Sequence, residues 1–337
     1  MGKRAALAAV LIAGLALAAA PLAAAGQGFS PPPPKTPSGE AIKGLYWFVF
    51  AICAVVFVLV ESALILFIIR FRRRRGTPAD AEGPQIHGNT RLEIIWTLIP
   101  ALILVGIAVV VFVRAPAVEA EGQGGQRISV EAHQFYWQYV YEDEGGVISL
   151  DRLVLPVDQP VRLRLTSFDV DHSWWVPELT GKRDAIPGRT TTLNFTPEEE
   201  GTYEGKCAEL CGILHTVMPT EVEVVSAAEF DRFLARRRAQ NAGEAQLELG
   251  RETWESVCAD CHGPEGEGDV GPAIQGNGTL TNAQALRDLL ENGQDTPEIE
   301  GAMPGVGRGW PPFQVDALIA YIESNETLAT PQQEGQR

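Results

Sequence analysis

Apolar residues are bunched along this chain rather than spread. Leu45 to Ile69 is a nearly continuous apolar run and Ile94 to Val113 is a second. At about 1.5 Å of rise per residue, each is long enough to cross a bilayer as a helix. Between them lies Arg70-Phe-Arg72-Arg73-Arg74-Arg75. The positive-inside rule puts that loop in the cytoplasm and both flanks outside. The pattern therefore predicts a helical hairpin over residues 43–115, with helices at about 45–69 and 94–113 and everything later exported. Ahead of it, residues 1–25 read as a secretory signal: Lys3 and Arg4, the apolar stretch Ala5 to Ala20, then Ala23-Ala24-Ala25 as the cleavage site. A retained anchor helix is the alternative. Residues 26–42, with Pro31 to Pro34, read as an extended linker.

Beyond the hairpin the period shortens. Over residues 127–225, runs rich in β-branched and aromatic residues recur at Ile128 to Tyr141, Leu153 to Leu155, Val161 to Ser167, Thr190 to Phe195 and Glu221 to Val225. Asp151, Pro156, Pro187-Gly188 and Gly201 break them, which predicts an antiparallel sandwich or barrel. Residues 226–242 read as a helical connector. Residues 243–326 read as all-α, with helices at Leu247 to Val257, Asn282 to Glu291 and Val315 to Ser324 around a Gly- and Pro-rich loop, Gly263 to Gly278. Residues 327–337 read as a disordered tail, and no internal repeat is evident.

The formal charge of −16 excludes nucleic acid as a natural partner, because a phosphate backbone needs a basic surface. It suits a basic protein partner, or plain solubility. Two acids lie in the spans. Glu61 sits mid-helix, where a carboxylate is costly and is expected to face a partner helix or a pathway. Glu93 opens the second span, where capping and functional readings are both open. Cys53, inside the first span, reads as a packing residue.

The other four of the five cysteines carry the chemistry. Cys207 and Cys211 are followed by His215 and Met218, a soft donor set that favours copper. Two bridging thiolates would hold a compact dicopper cluster, and each copper also needs an imidazole. His215 supplies one. His172, in Asp169-Val-Asp171-His172-Ser-Trp174-Trp175, is the candidate for the other, with His133 as its rival. A Cys207–Cys211 disulfide is reasonable in an exported protein. Zinc would accept Cys and His, but Met218 suits it poorly. Cys258-Ala-Asp-Cys261-His262 is the attachment pattern of a covalent c-type haem, with His262 as axial ligand. Met303 is the only methionine after it, and His/Met ligation suits electron transfer rather than oxygen chemistry. A chance match or a zinc site is the alternative.

From about Lys43 to Val225 the chain resembles cytochrome c oxidase subunit II, and from about Gly243 to Glu326 a class I cytochrome c fused behind it. The motifs stand in the family's order: Arg91-Leu-Glu93-Ile-Ile-Trp96, His133-Gln-Phe135-Tyr-Trp137, His172-Ser-Trp174-Trp175, Asp184-Ala-Ile-Pro187-Gly188-Arg189 and the Cys207 loop. The resemblance implies a cupredoxin-like Greek-key domain with a binuclear CuA centre held by His172, Cys207, Cys211, His215, Met218 and the Glu209 carbonyl. It also implies a magnesium ion near the Glu209 side chain, shared with subunit I. Asp169 would lie near that boundary, and Glu93 would match a carboxylate at the mouth of a proton channel. Many relatives carry tryptophan where this chain has Phe135, the place where electrons from soluble cytochrome c arrive. That departure fits a chain supplied by its own haem domain.

The expected function is electron transfer through haem c and CuA to haem a of subunit I, which reduces oxygen to water with proton translocation. This chain has too few helices and intramembrane histidines to do that alone. Expected partners are subunits I and III and an upstream cytochrome c or bc1-type complex. The expected place is a bacterial inner membrane, with both redox domains on the periplasmic side. An electron-transfer subunit of a CuA-bearing nitric oxide reductase is the alternative, and a membrane-tethered copper-binding module is a third. A quinol oxidase subunit II is excluded, because it lacks the copper ligands.

Overall fold

The structure, a computed structural model, describes residues 30–72, 85, 87–119, 124–240, 245–280, 282–294 and 303–329. The expected signal segment 1–25 lies outside these residues, as do Arg73 to Arg75 of the basic loop and residues 330–337 of the expected tail. The chain divides into two units, one of residues up to Pro34 plus Glu40–Val118 and one of Lys35–Gly39 plus Glu119 onward.

The first unit holds two apolar helices, α1 (Pro37–Phe71) and α2 (Thr90–Glu119). Leu59, Ile68 and Phe112 are exposed on them, a distribution suited to lipid rather than to a soluble core. Both helices outrun the expected spans, because polar residues such as Glu40 and Arg114 continue the helix past the apolar window. Asn89 accepts from the Leu92 amide and so caps α2, while Glu93 accepts in return from the Asn89 amide. Glu61 lines an apolar groove between the spans with Cys53, Val56, Pro100 and Ile107.

The second unit begins with ten strands in two sheets. One sheet takes the order β3 (Val147–Leu150), β2 (Tyr136–Tyr141), β1 (Gln126–His133), β5 (Val161–Ser167), β8 (Thr191–Phe195). The other runs β4 (Arg152–Pro156), β10 (Pro219–Val225), β9 (Gly201–Cys207), β6 (His172–Trp175), β7 (Arg183–Ala185). Pairing is antiparallel except for β1 with β5 and β4 with β10. Alternation along β5 buries Val161, Leu163 and Leu165 and exposes Arg162 and Arg164, the period-two pattern of a half-buried strand. Those side chains meet Trp137, Trp174 and Phe195 in a cupredoxin-like core.

Helix α3 (Ala227–Ala239) follows, opened by a capping box of Ser226 and Glu229. Next come α4 (Ala245–Thr253), a π-turn over Trp254–Cys258, α5 (Ala259–His262), α6 (Ala283–Asn292), α7 (Pro312–Ser324) and α8 (Glu326–Ala329). The expected tail is corrected at its start: residues 327–329 belong to α8, and Leu328 is fully buried in the helical core. One apolar residue with a cluster to fill outweighs the polar composition around it. Where α4 meets α7, a Cβ on Gly250 would lie 2.1 Å from the Ala317 carbonyl oxygen. Gly250→Ala is expected to lower the stability of the helical region by roughly 1–3 kcal/mol, the usual cost of overpacking, as read by thermal unfolding.

The β region and the helical region share core. Ile148 of β3 packs with Leu249 and Ala317, while Tyr136 and Leu150 lie inside the cluster built around Trp254, Leu318 and Ile322. Asp151 sits on the same side. It accepts from the Trp137 amide, and burial followed by the nearby Asp260 and Glu252 charges pushes it up to about 8. The folded state thus keeps a proton that the unfolded state releases near pH 4. Its stabilising contribution is complete below that pH and falls as pH rises toward about 8. Asp151→Asn keeps the acceptor and is expected to flatten the decline in melting temperature between pH 6 and 9, in measurements matched for salt.

Candidate copper and haem sites

Strand pairing assembles the first site. β6 and β9 are neighbours with Trp174 opposite Cys207, and the Ala208 amide donates to the Ser173 carbonyl at 2.8 Å. The loop leaving β9 closes on itself where the Cys207 amide donates to the Met218 carbonyl at 3.0 Å. His172, Cys207, Cys211, His215 and Met218 therefore converge. The two sulfurs are 3.8 Å apart, Cys207 Sγ is 3.9 Å from His172 Nδ1, and Cys211 Sγ is 3.6 Å from His215 Nδ1 and 3.9 Å from Met218 Sδ. Cys207 Sγ also lies 3.2 Å from the Glu209 carbonyl. Donor atoms of His172, Cys207 and Cys211 fall within 4.8 Å of one another.

A disulfide bond is about 2.05 Å long. At almost twice that length the cysteines are free thiols, and each has its own imidazole. The Cys211 thiol beside it and then His172 hold Cys207 far below the ordinary thiol range, whereas the same pairing pushes Cys211 up. A metal bound there would be held by deprotonated sulfurs.

Around the donors lies a second layer of contacts that sequence reading did not resolve. His172 Nε2 meets Asp169 Oδ1 at 2.8 Å, leaving Nδ1 toward the sulfurs. A carboxylate behind an imidazole fixes the ring's tautomer and direction. Burial opposes charge on His172, but the Asp169 and Cys207 contacts outweigh it and raise its pKa. Asp169 Oδ2 also accepts from the Gln134 amide, and Gln134 Nε2 donates to the Cys211 carbonyl, both at 2.6 Å. Phe135 lies over the copper loop, where a Cβ on Gly212 would come within 2.8 Å of its ring. The Glu209 carboxylate meets Lys182 at 3.3 Å, and Lys182 also bridges to Asp184 at 3.0 Å.

His133, the rival ligand, is fully buried at the end of β1 and stands outside the donor cluster. Its ring lies between Tyr136 and Phe168, nearly parallel to both.

The second site forms where the π-turn hands over to α5. Cys258 and Cys261 are free, half-buried thiols. His262 Nδ1 lies 2.8 Å from the Pro272 carbonyl, which can only accept, so this nitrogen donates and Nε2 is turned away from that bond. A Cβ on Gly271 would come within 3.0 Å of the same ring. Met303 packs with Cys258 and Ile274 against one hydrophobic cluster, held by paired backbone bonds to Gln294 at 2.9 Å. Burial raises the pKa of both thiols, that of Cys258 to about 12. A dithiol redox motif needs the opposite shift, so this pair is not tuned for disulfide exchange.

Three family descriptions match in succession. Cytochrome C oxidase subunit II, transmembrane domain, covers residues 24–113; the periplasmic domain of that subunit covers 147–225; and Cytochrome C oxidase, cbb3-type, subunit III, covers 245–322. The cytochrome c oxidase subunit 2 of Alkalihalophilus pseudofirmus is 33% identical over 315 residues, which is 88% of this chain and 90% of the relative. This chain belongs to the cytochrome c oxidase subunit II family. A probable cytochrome c oxidase subunit 2 of Rickettsia bellii is 33% identical over 237 residues, covering 64% of this chain and 87% of its own. The solved periplasmic domain of subunit II from Bradyrhizobium japonicum is 30% identical, covering 35% of this chain and 96% of its own, with a TM-score of 0.34. As a subunit II, the chain is a membrane-anchored part of a haem-copper oxidase, with a periplasmic domain of the CuA type followed by a domain of the haem c type. Subunit I is its implied partner.

Proposed function

We propose that this subunit II receives electrons through its own haem c and delivers them by a CuA centre to subunit I. The observation that carries the reading is the pair of free thiols 3.8 Å apart, each with its own imidazole and flanked by Met218. Bound there, two copper ions would share one electron, and haem c would supply electrons singly for oxygen reduction and proton translocation in subunit I.

His172, Cys207, Cys211, His215, Met218 and the Glu209 carbonyl would hold the copper ions. Cys258 and Cys261 would fix the haem, and His262 and Met303 would hold its iron. Leu210, Ile213 and Val217 are exposed on the copper loop, an apolar surface suited to being covered by the partner subunit. Glu209 and Asp184, now sharing Lys182, offer carboxylates to a magnesium ion at that boundary. Glu93 would line the mouth of a proton channel in subunit I, with Arg70 and Arg72 on the cytoplasmic side. Subunit III and an upstream cytochrome c or bc1-type complex complete the assembly.

The test is purification of the native complex with metal analysis and identification of its other subunits. Two coppers and one haem c per chain, beside a haem a-bearing subunit I, are expected. One copper or none per chain, or a nitric oxide reductase as the large subunit, would overturn the reading.

A further inference from the structure

Phe135 and Tyr136 are adjacent, yet they serve different cores. Phe135 packs against the cluster of the β region, whereas Tyr136, fully buried, belongs to the cluster that also takes Cys258 and Met303. The Tyr136 hydroxyl donates to the Val306 carbonyl at 2.6 Å and accepts from Trp310 Nε1 at 2.7 Å. Val306 is three residues from Met303. The helical region thus grips a strand residue of the β region, in the sheet facing the one that carries His172 and Cys207, through the loop that carries the proposed haem ligand.

From Tyr136 the contacts continue toward copper. Its ring stacks on His133, with centroids 4.7 Å apart and planes within 7°. His133 stacks in turn on Phe168 at 5.0 Å and 5°. Phe168 is followed by Asp169, which holds His172. A second branch runs along the backbone from Tyr136 to Trp137, whose ring meets His172 edge-on at 6.0 Å. Arg308 closes the far side by donating to the Phe168 carbonyl at 3.0 Å.

Both ring nitrogens of His133 are buried without a hydrogen-bond partner among the described residues. An imidazole left unsatisfied is costly, so its flat ring in the stack is what the position uses. Burial keeps that ring neutral, holding its pKa down to about 3.

We propose that Trp310, Tyr136, His133 and Phe168 form a built-in bridge that carries electrons from the Met303 loop to the His172 side of the copper site. This rests on the function proposed above. One electron is lost on the haem side and gained on the copper side. No bond forms or breaks, no proton moves, and the rings act as a dry tunnelling medium without being oxidised. Tyr136 and His133 are therefore positioning residues, acting through Met303 and His172.

The test uses the full-length chain loaded with haem and copper. A flash from a photoexcited one-electron reductant reduces the haem, and the copper near-infrared band is followed in time. His133→Leu and Tyr136→Phe are expected to slow copper reduction about tenfold or more, equivalent to ~1.4 kcal/mol on the barrier. Both absorption spectra and both midpoint potentials should stay at wild-type values. Amide exchange in the resting protein should quicken at residues 303–310 in Tyr136→Phe, which loses both hydroxyl bonds. Wild-type rates in both variants with intact spectra would overturn the bridge alone. Failure of the wild-type haem to reduce copper would instead sink the parent reading of function. If His133→Leu loses either spectrum, Tyr136→Phe, which keeps its ring and volume, decides the matter.

Discussion

A Cys211→Ala chain is expected to hold no dicopper cluster, to lose its near-infrared copper band and to keep its haem c spectrum. The Cys211 sulfur faces three other donors, Cys207, His215 and Met218, at 3.6–3.9 Å. In the proposed site, removing it would take away a thiolate that faces both the His215 and the His172 halves. Even the loss of a group behind a ligand lowers metal affinity roughly 10–100-fold. Loss of a shared thiolate should exceed that, and oxidase turnover of the complex should fall by at least as much. Metal analysis and optical spectra of the purified chain check the result. Cys53→Ala, in the first span, is the matched control and should retain both copper ions. Retention of the full cluster by Cys211→Ala would refute the bridging role.

Glu252→Ala is expected to destabilise the join between the copper and haem regions by about 3 kcal/mol, the lower end of the range for breaking a buried ion pair. Arg237 of α3 binds both oxygens of Glu252, one through Nη2 at 2.8 Å, and also donates to Ser149. Glu252 in turn accepts from the Leu150 amide. Burial works against the Arg237 charge, yet the Glu252 bond outweighs it and raises the guanidinium's pKa. The side chains are only 11% and 19% exposed, so water would compensate poorly for the missing carboxylate. For a unit of this size the melting temperature should drop by roughly 6–12 °C. Glu252→Gln, which keeps an acceptor, should fall less. An unchanged melting temperature in Glu252→Ala would show that the join does not depend on this pair.

The hairpin was legible because a lipid-facing helix needs apolar residues all round and leaves an unbroken run. The copper donors and the haem motif were legible because their chemistry demands particular atoms at short spacing. What sequence did not reveal is long-range. The run Ile128 to Tyr141 reads as one strand, but it folds back at Gln134, whose amide is held by Asp169, 35 positions away. No glycine or proline announces that turn. β3, β6, β7 and β9 were absent from the expected strands because charged, polar or glycine residues interrupt their alternation, as at Gly201 and Glu204. Asp169 stood in the His172 motif, but its hold on the imidazole is visible only in the fold. The shared core is illegible for a related reason. Tyr136 and Leu150 look like ordinary strand residues until the helical region closes over them.

In the proposed function, that closure would make the haem region a permanently seated donor instead of a visitor. Association on the inner leg needs no encounter, so its speed should be indifferent to ionic strength, whereas delivery from an outside carrier to this acidic chain remains open to screening.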